Sequence, residues 1–100
     1  MNQEPLTLYK LIILTMLDQV DFPLTNAQIS DFILTKEYTN YFTLQQVLSE
    51  LSETGLAEEH TVRNSTYYHI TKKGKETLNF FGHMVSSAIH EDITRYFKEH

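Results

Sequence analysis

Five histidines, His60, His69, His83, His90 and His100, are the side chains of this chain best suited to hold a metal ion or move a proton. Spacing decides whether any two can share an ion. His83 and His90 lie seven apart in a helical pattern, about 10 Å along the axis, too far for one ion without another segment. His60 and His69 flank a predicted hairpin, so their separation depends on its loop. A two-residue turn at Asn64-Ser65 sets them opposite each other but also sets Glu59 against Ile70, which mixes polar and apolar faces. A three-residue loop, Asn64 to Thr66, pairs Val62 with Tyr68 and His60 with Ile70, keeps the apolar face coherent and parts the histidines. That second register is the expectation. With no third ligand in view, zinc's usual three or four ligands are not met. Neither a metal nor a cofactor is expected.

Nucleophilic chemistry finds no better footing. The chain has no cysteine, which removes thiolate metal sites, iron–sulfur clusters, disulfides and thiol nucleophiles together. It has no phosphate-binding glycine loop and no GxSxG elbow, and its Ser, His and Asp residues lack a recognisable spacing. An enzyme is not expected.

A binding surface is easier to place. Leu44, Val47, Leu48 and Leu51 recur at i, i+3, i+4 and i+7, a helical period. A capping box at Thr43-Leu44-Gln45-Gln46 would start that helix and Gly55 would close it, over 43–54. With the apolar residues turned inward, Thr43, Gln45, Gln46, Ser49, Glu50, Ser52 and Glu53 face out. Glutamine carboxamides suit adenine, where paired bonds to N6 and N7 are available, and Thr43 or Ser49 can meet bases or phosphate. The plain alternative is an ordinary solvated helix face. The helix has no lysine or arginine, and Glu50 and Glu53 repel phosphate, so contacts would come from its first two turns.

Charge is the objection to nucleic acid. The formal net charge is −5, whereas nucleic-acid modules usually carry a basic surplus. The charges separate by region, however. His60 to Lys75 holds Arg63, Lys72, Lys73 and Lys75 and no acidic residue, so the rest of the chain sums to −9. A local patch is enough for phosphate binding, because screening limits repulsion to roughly 8–10 Å at ordinary salt. Arg63, Asn64, Lys72 and Lys73 are the predicted backbone contacts of a hairpin spanning 60–72.

The elements that must hold these residues follow from patterning. One hundred residues make one small domain, and 41% hydrophobic content supplies a core. Three glycines and two prolines argue against a turn-dense β-sandwich. Pro5 suits a first helical turn. From Leu6 to Val20 only a narrow polar strip, Thr7, Lys10, Thr15 and Asp18, interrupts the apolar residues, so this helix must be buried on more than one side. Phe22-Pro23 ends it. Thr25-Asn26-Ala27-Gln28 reads as a capping box ahead of Ile29, Phe32 and Ile33. Leu56–His60 and Tyr67–Ile70 read as hairpin strands. A final helical pattern runs from about Lys73 to Lys98, with Gly82 as its weak link.

The predicted class is mainly α with a small β-hairpin: a winged helix-turn-helix over 1–75, then a long C-terminal helix over 76–100. That helix would exceed the compact body, since about 26 residues reach almost 40 Å. Its seam of Leu78, Phe81, Val85, Ala88, Ile89, Ile93, Tyr96 and Phe97 is read as a homodimer interface that also takes in the first helix. The rival geometry is a bend at Gly82 that folds the helix back on its own chain.

The stretches Leu8–Leu14, Asp21-Phe22-Pro23-Leu24-Thr25-Asn26 and Tyr38–Gln46 resemble a bacterial winged helix-turn-helix family of regulators catalogued as a domain of unknown function. Tyr67-Tyr68-His69-Ile70-Thr71-x-x-Gly74 is similar to the wing-to-helix junction of multidrug-resistance-type and phenolic-acid-type regulators. The resemblance implies double-stranded DNA as partner, no established ligand, and a second region beyond position 100. The expectation is a cytoplasmic, homodimeric transcriptional regulator. The competing reading is a winged-helix protein–protein interaction module, which suits the acidic total. No targeting signal or membrane span is expected, because the run Leu11-Ile12-Ile13-Leu14 is too short.

Overall fold

The computed structural model describes residues 4–100. Helix α1 spans Glu4–Gln19, with Pro5 in its first turn. Every residue from Leu11 to Leu17 is buried, as the narrow polar strip requires. Thr15, the one polar side chain in that run, satisfies its hydroxyl by donating to the Leu11 carbonyl at 2.7 Å. The cover comes from the chain itself: α1 touches the third, fourth and fifth helices and the sheet.

Strand β1, Leu24–Thr25, leads directly into α2, Asn26–Thr35. The predicted capping box forms, with the Gln28 N–H donating to Thr25 Oγ1 at 3.0 Å and the Thr25 N–H donating to Gln28 Oε1 at 2.8 Å. Helix α2 ends in a Schellman turn, Tyr38 N–H to Ile33 O and Glu37 N–H to Leu34 O. Glu37 takes the left-handed position at φ 58°, where glycine is the usual occupant.

Helix α3 spans Tyr41–Glu53 and starts earlier than the expected box at Thr43. Asn40 is the cap: its Oδ1 accepts the Thr43 N–H at 2.9 Å. Thr43 is therefore inside the first turn, because asparagine three residues upstream caps at least as well as threonine. Leu44, Val47, Leu48 and Leu51 are buried as expected. Gly55, at φ 78°, closes the helix with bonds from Leu56 N–H to Leu51 O and from Gly55 N–H to Ser52 O.

Strands β2, Ala57–Val62, and β3, Ser65–Ile70, pair antiparallel, and β1 adds to the other edge of β3. The loop is Arg63-Asn64, with Arg63 at φ 58°. Both anticipated registers are thereby corrected. Ala57 faces Ile70, Glu59 faces Tyr68 and His60 faces Tyr67. This register puts buried Ala57 and Tyr68 on the core side and pairs Leu24 with Tyr68 across β1. The core accepts Glu59 beside Tyr68 at its rim, where the glutamate remains exposed.

The expected single helix over 73–98 is two. Helix α4 spans Lys72–Phe81, a 3-10 turn follows at Gly82–Met84, and α5 spans Ser87–Glu99. Ser86 caps α5, accepting the Ile89 N–H at 3.2 Å. The break lets Val85 enter the core at 4% exposure and turns α5 back so that Ile93 is fully buried. A straight helix of that length, roughly 39 Å, would outrun the molecule's longest dimension of 35 Å. One core runs from Leu11 to Ile93, so residues 76–100 share it with 1–75. The result is a winged helix-turn-helix-like body of mainly helical class with α4 and α5 folded against α1.

The wing-to-α4 junction explains its own motif. Thr71 Oγ1 accepts the Gly74 N–H at 3.0 Å and lies 2.6 Å from the Gly55 carbonyl and 3.1 Å from that of Leu56. A Cβ at Gly74 would collide with the Leu56 carbonyl oxygen and the Ile70 side chain. Threonine ties the end of α3 to the start of α4, and glycine lets the backbones meet.

Candidate functional site

The expected contact residues lie on two surfaces, the N-terminal half of α3 and the β2–β3 hairpin, and α3 contacts β2. On α3, Gln46 and Ser49 are exposed and Thr43 is half-buried. Gln45 is not free to read a base. Its carboxamide pairs reciprocally with Asn26, donating from Nε2 to Asn26 Oδ1 at 3.2 Å and accepting from Asn26 Nδ2 at 2.9 Å. Gln45 thus holds α3 against the start of α2.

Two aromatic rings escaped the sequence reading. Phe42 is 86% exposed and Tyr41 57%, in edge contact with centroids 6.4 Å apart. Placing the helix start at Thr43 left both in a connector. With the cap at Asn40, Phe42, Gln46 and Ser49 form an i, i+4, i+7 stripe on one outward face. The asparagine was the available signal.

Glu50 does not present a bare charge beside that stripe. Lys10 of α1 meets its Oε1 at 2.7 Å and Gln46 Nε2 donates to its Oε2 at 3.1 Å. These bonds, that with Lys10 foremost, hold the Glu50 carboxyl below its ordinary range.

The basic residues do not form one patch. Arg63 and Asn64 are exposed at the hairpin tip, while Lys72 and Lys73 stand at its base on the first turn of α4. A six-residue strand separates them by about 20 Å. Lys73 is also engaged, donating to the Thr54 carbonyl at the end of α3 at 2.9 Å. Counting along the chain left out Glu58 and Glu59, which β2 carries into the same sheet, so the hairpin from 57 to 70 sums to −1. The histidines expected to part come together: the His60 and His69 rings stack with centroids 5.3 Å apart.

The proposed dimer seam is largely spent within the chain. Val85 and Ile93 are buried, and Leu78, Ile89, Tyr96 and Phe97 pack against the core. Phe81 stays 50% exposed, next to Phe80 at 77% and near the break residue Met84 at 44%. Helix α5 is clasped to α2 by two tyrosines. Tyr38 donates to Asp92 at 2.9 Å and Tyr96 donates to Asp31 at 3.0 Å. Burial, followed by the adjoining carboxylate, pushes each tyrosine up to about 12.

Fold and surface together define a winged-helix-like domain with an outward helix N-terminus beside a hairpin. The chain belongs to the family described as a domain of unknown function (DUF4364), whose model matches residues 9–100. No curated protein and no solved structure matches the chain. Among the described residues no helix is long and apolar enough to cross a membrane.

Proposed function

We propose that this chain is a homodimeric, sequence-specific DNA-binding regulator, with the start of α3 in the major groove and the Arg63-Asn64 tip on the phosphate backbone. One observation carries the reading: Phe42, Gln46 and Ser49 form an exposed stripe at the N-terminal end of the second helix of a helix-turn-helix pair, the end that meets base edges in such proteins. The chemistries complement each other. Gln46, which bonds Glu50 through Nε2 alone, suits adenine, and an exposed phenyl ring suits the thymine methyl group. The ion pair with Lys10 reduces the repulsion that Glu50 would exert on phosphate. Two copies would supply two such helices for a pseudo-palindromic site. The exposed Phe80-Phe81-Met84 region is the surface through which they would meet, since an apolar cluster left in water marks a contact site.

Selection of bound fragments from random duplex, followed by anisotropy titration of the winner, tests the reading. Specific binding should weaken with salt at a slope of about 0.9 per phosphate contact. Gln46→Ala should lower affinity for the selected site by about 1–3 kcal/mol without changing that slope. Absence of binding at low salt overturns the reading in favour of the protein-interaction module, which the hairpin's −1 favours. A monomeric mass in sedimentation at micromolar protein overturns the dimer.

A further inference from the structure

We propose that Glu58, His60 and His69 form a divalent transition-metal site on the outer face of the hairpin. The β2–β3 register creates it. Glu58 faces His69 directly and His60 faces Tyr67, so the two histidines are diagonal neighbours on the face turned from the core. Their rings lie nearly parallel, 13° apart, and both Nε2 atoms point to one carboxylate. His60 Nε2 stands 3.3 Å from Glu58 Oε1, and His69 Nε2 stands 3.6 Å from Glu58 Oε2. The three ligand atoms all lie within 4.8 Å of one another.

Those separations suit coordination. Ligands about 2.0–2.2 Å from a tetrahedral zinc ion stand about 3.3–3.5 Å from each other. The His60–Glu58 gap of 3.3 Å falls in that range and the His69–Glu58 gap of 3.6 Å lies just above it, each to a different carboxylate oxygen. The histidine–histidine gap closes by side-chain rotation, which is free here because the three side chains are 39–57% exposed. Two imidazoles and a carboxylate with a fourth position open to water are a common zinc donor set, and imidazole also favours nickel and copper over magnesium or calcium. No lysine or arginine pairs with Glu58 among the described ion pairs, so no fixed cation occupies the carboxylate. A bound dication would turn the hairpin's charge from −1 to +1. The site stands on this geometry alone and does not depend on DNA binding.

The test is calorimetric titration of the untagged full chain with Zn²⁺, repeated with Co²⁺ to record its ligand-field absorption. The expected result is one ion per chain. Glu58→Gln, His60→Gln and His69→Gln should each weaken binding about tenfold or more, with circular dichroism confirming an intact fold. The double variant His83→Gln/His90→Gln should bind like the parent. Absence of saturable binding overturns the proposal. So does binding that survives His60→Gln combined with His69→Gln, or that is lost in the His83→Gln/His90→Gln chain.

Discussion

Asn26 on α2 and Gln45 on α3 hold each other by two reciprocal carboxamide bonds, at 2.9 and 3.2 Å. Asn26 Oδ1 also accepts from Ser30 Oγ at 2.9 Å, and the Tyr68 hydroxyl of β3 lies within its reach. One asparagine therefore sets the second helix of the pair against the first. Removing either amide breaks both bonds of this half-buried pair. Asn26→Ala and Gln45→Ala should each cost about 1–3 kcal/mol in urea unfolding. A double-mutant cycle should return a coupling of about 0.5–3 kcal/mol. Additive losses would show that the pair does not lock the helices.

Gly74 and Gly82 should respond in opposite ways to alanine. At Gly74 the new methyl meets a backbone carbonyl that cannot yield without moving the end of α3, so Gly74→Ala should lose about 1–3 kcal/mol. At Gly82 the nearest atom is a Leu78 methyl 3.4 Å away, a contact that a side chain absorbs. Gly82→Ala should be neutral or gain up to about 1 kcal/mol. Thermal unfolding of the two variants side by side checks both signs.

Glu37 occupies a left-handed position that costs an ordinary residue about 1–2 kcal/mol. Glu37→Gly relieves it and restores some unfolded-chain entropy, so the net expectation is a gain of about 0.5–1 kcal/mol. A fall in the denaturation midpoint would count against this account of the α2 terminus.

The clasp between α2 and α5 should make stability depend on pH at both ends. Tyr38 and Tyr96 are raised to about 12 in the folded chain, so their contribution is complete below the unfolded tyrosine value near 10 and is lost as pH climbs to about 12. Asp92 is held low, first by the Tyr38 hydroxyl and then by Lys36 and Arg95. Its contribution is present above the ordinary aspartate range and disappears as pH falls through the depressed value. Tyr38→Phe should flatten both limbs of a melting-temperature profile, and Tyr96→Phe the alkaline limb alone.

How much of this was legible depended on whether the decisive contact was local. The Thr25/Gln28 capping box and the Gly55 terminus were readable because both ends of each device lie within a few residues. The all-round burial of α1 was readable from its thin polar strip. The start of α3 was misplaced because two candidate caps three residues apart competed and the tertiary fold tolerates Tyr41 and Phe42 in water. The hairpin register went wrong for a nonlocal reason: β1 pairs with β3 from over forty residues away, and Leu24 opposite Tyr68 selects the inward face. The helix break had its marker in Gly82, but only the packing of Val85 and Ile93 reveals that the seam is used inside one chain.

The burial of α1 has a consequence for how the chain is made. Residues 11–17 are synthesised before α3, the wing, α4 and α5, the elements that touch α1. Until those emerge from the ribosome, the apolar helix α1 lacks most of the surfaces that bury it. A nascent chain halted before α5 would leave one flank of α1 in water, a surface of the kind that holding chaperones grip. Docking of α5 would then cover that flank.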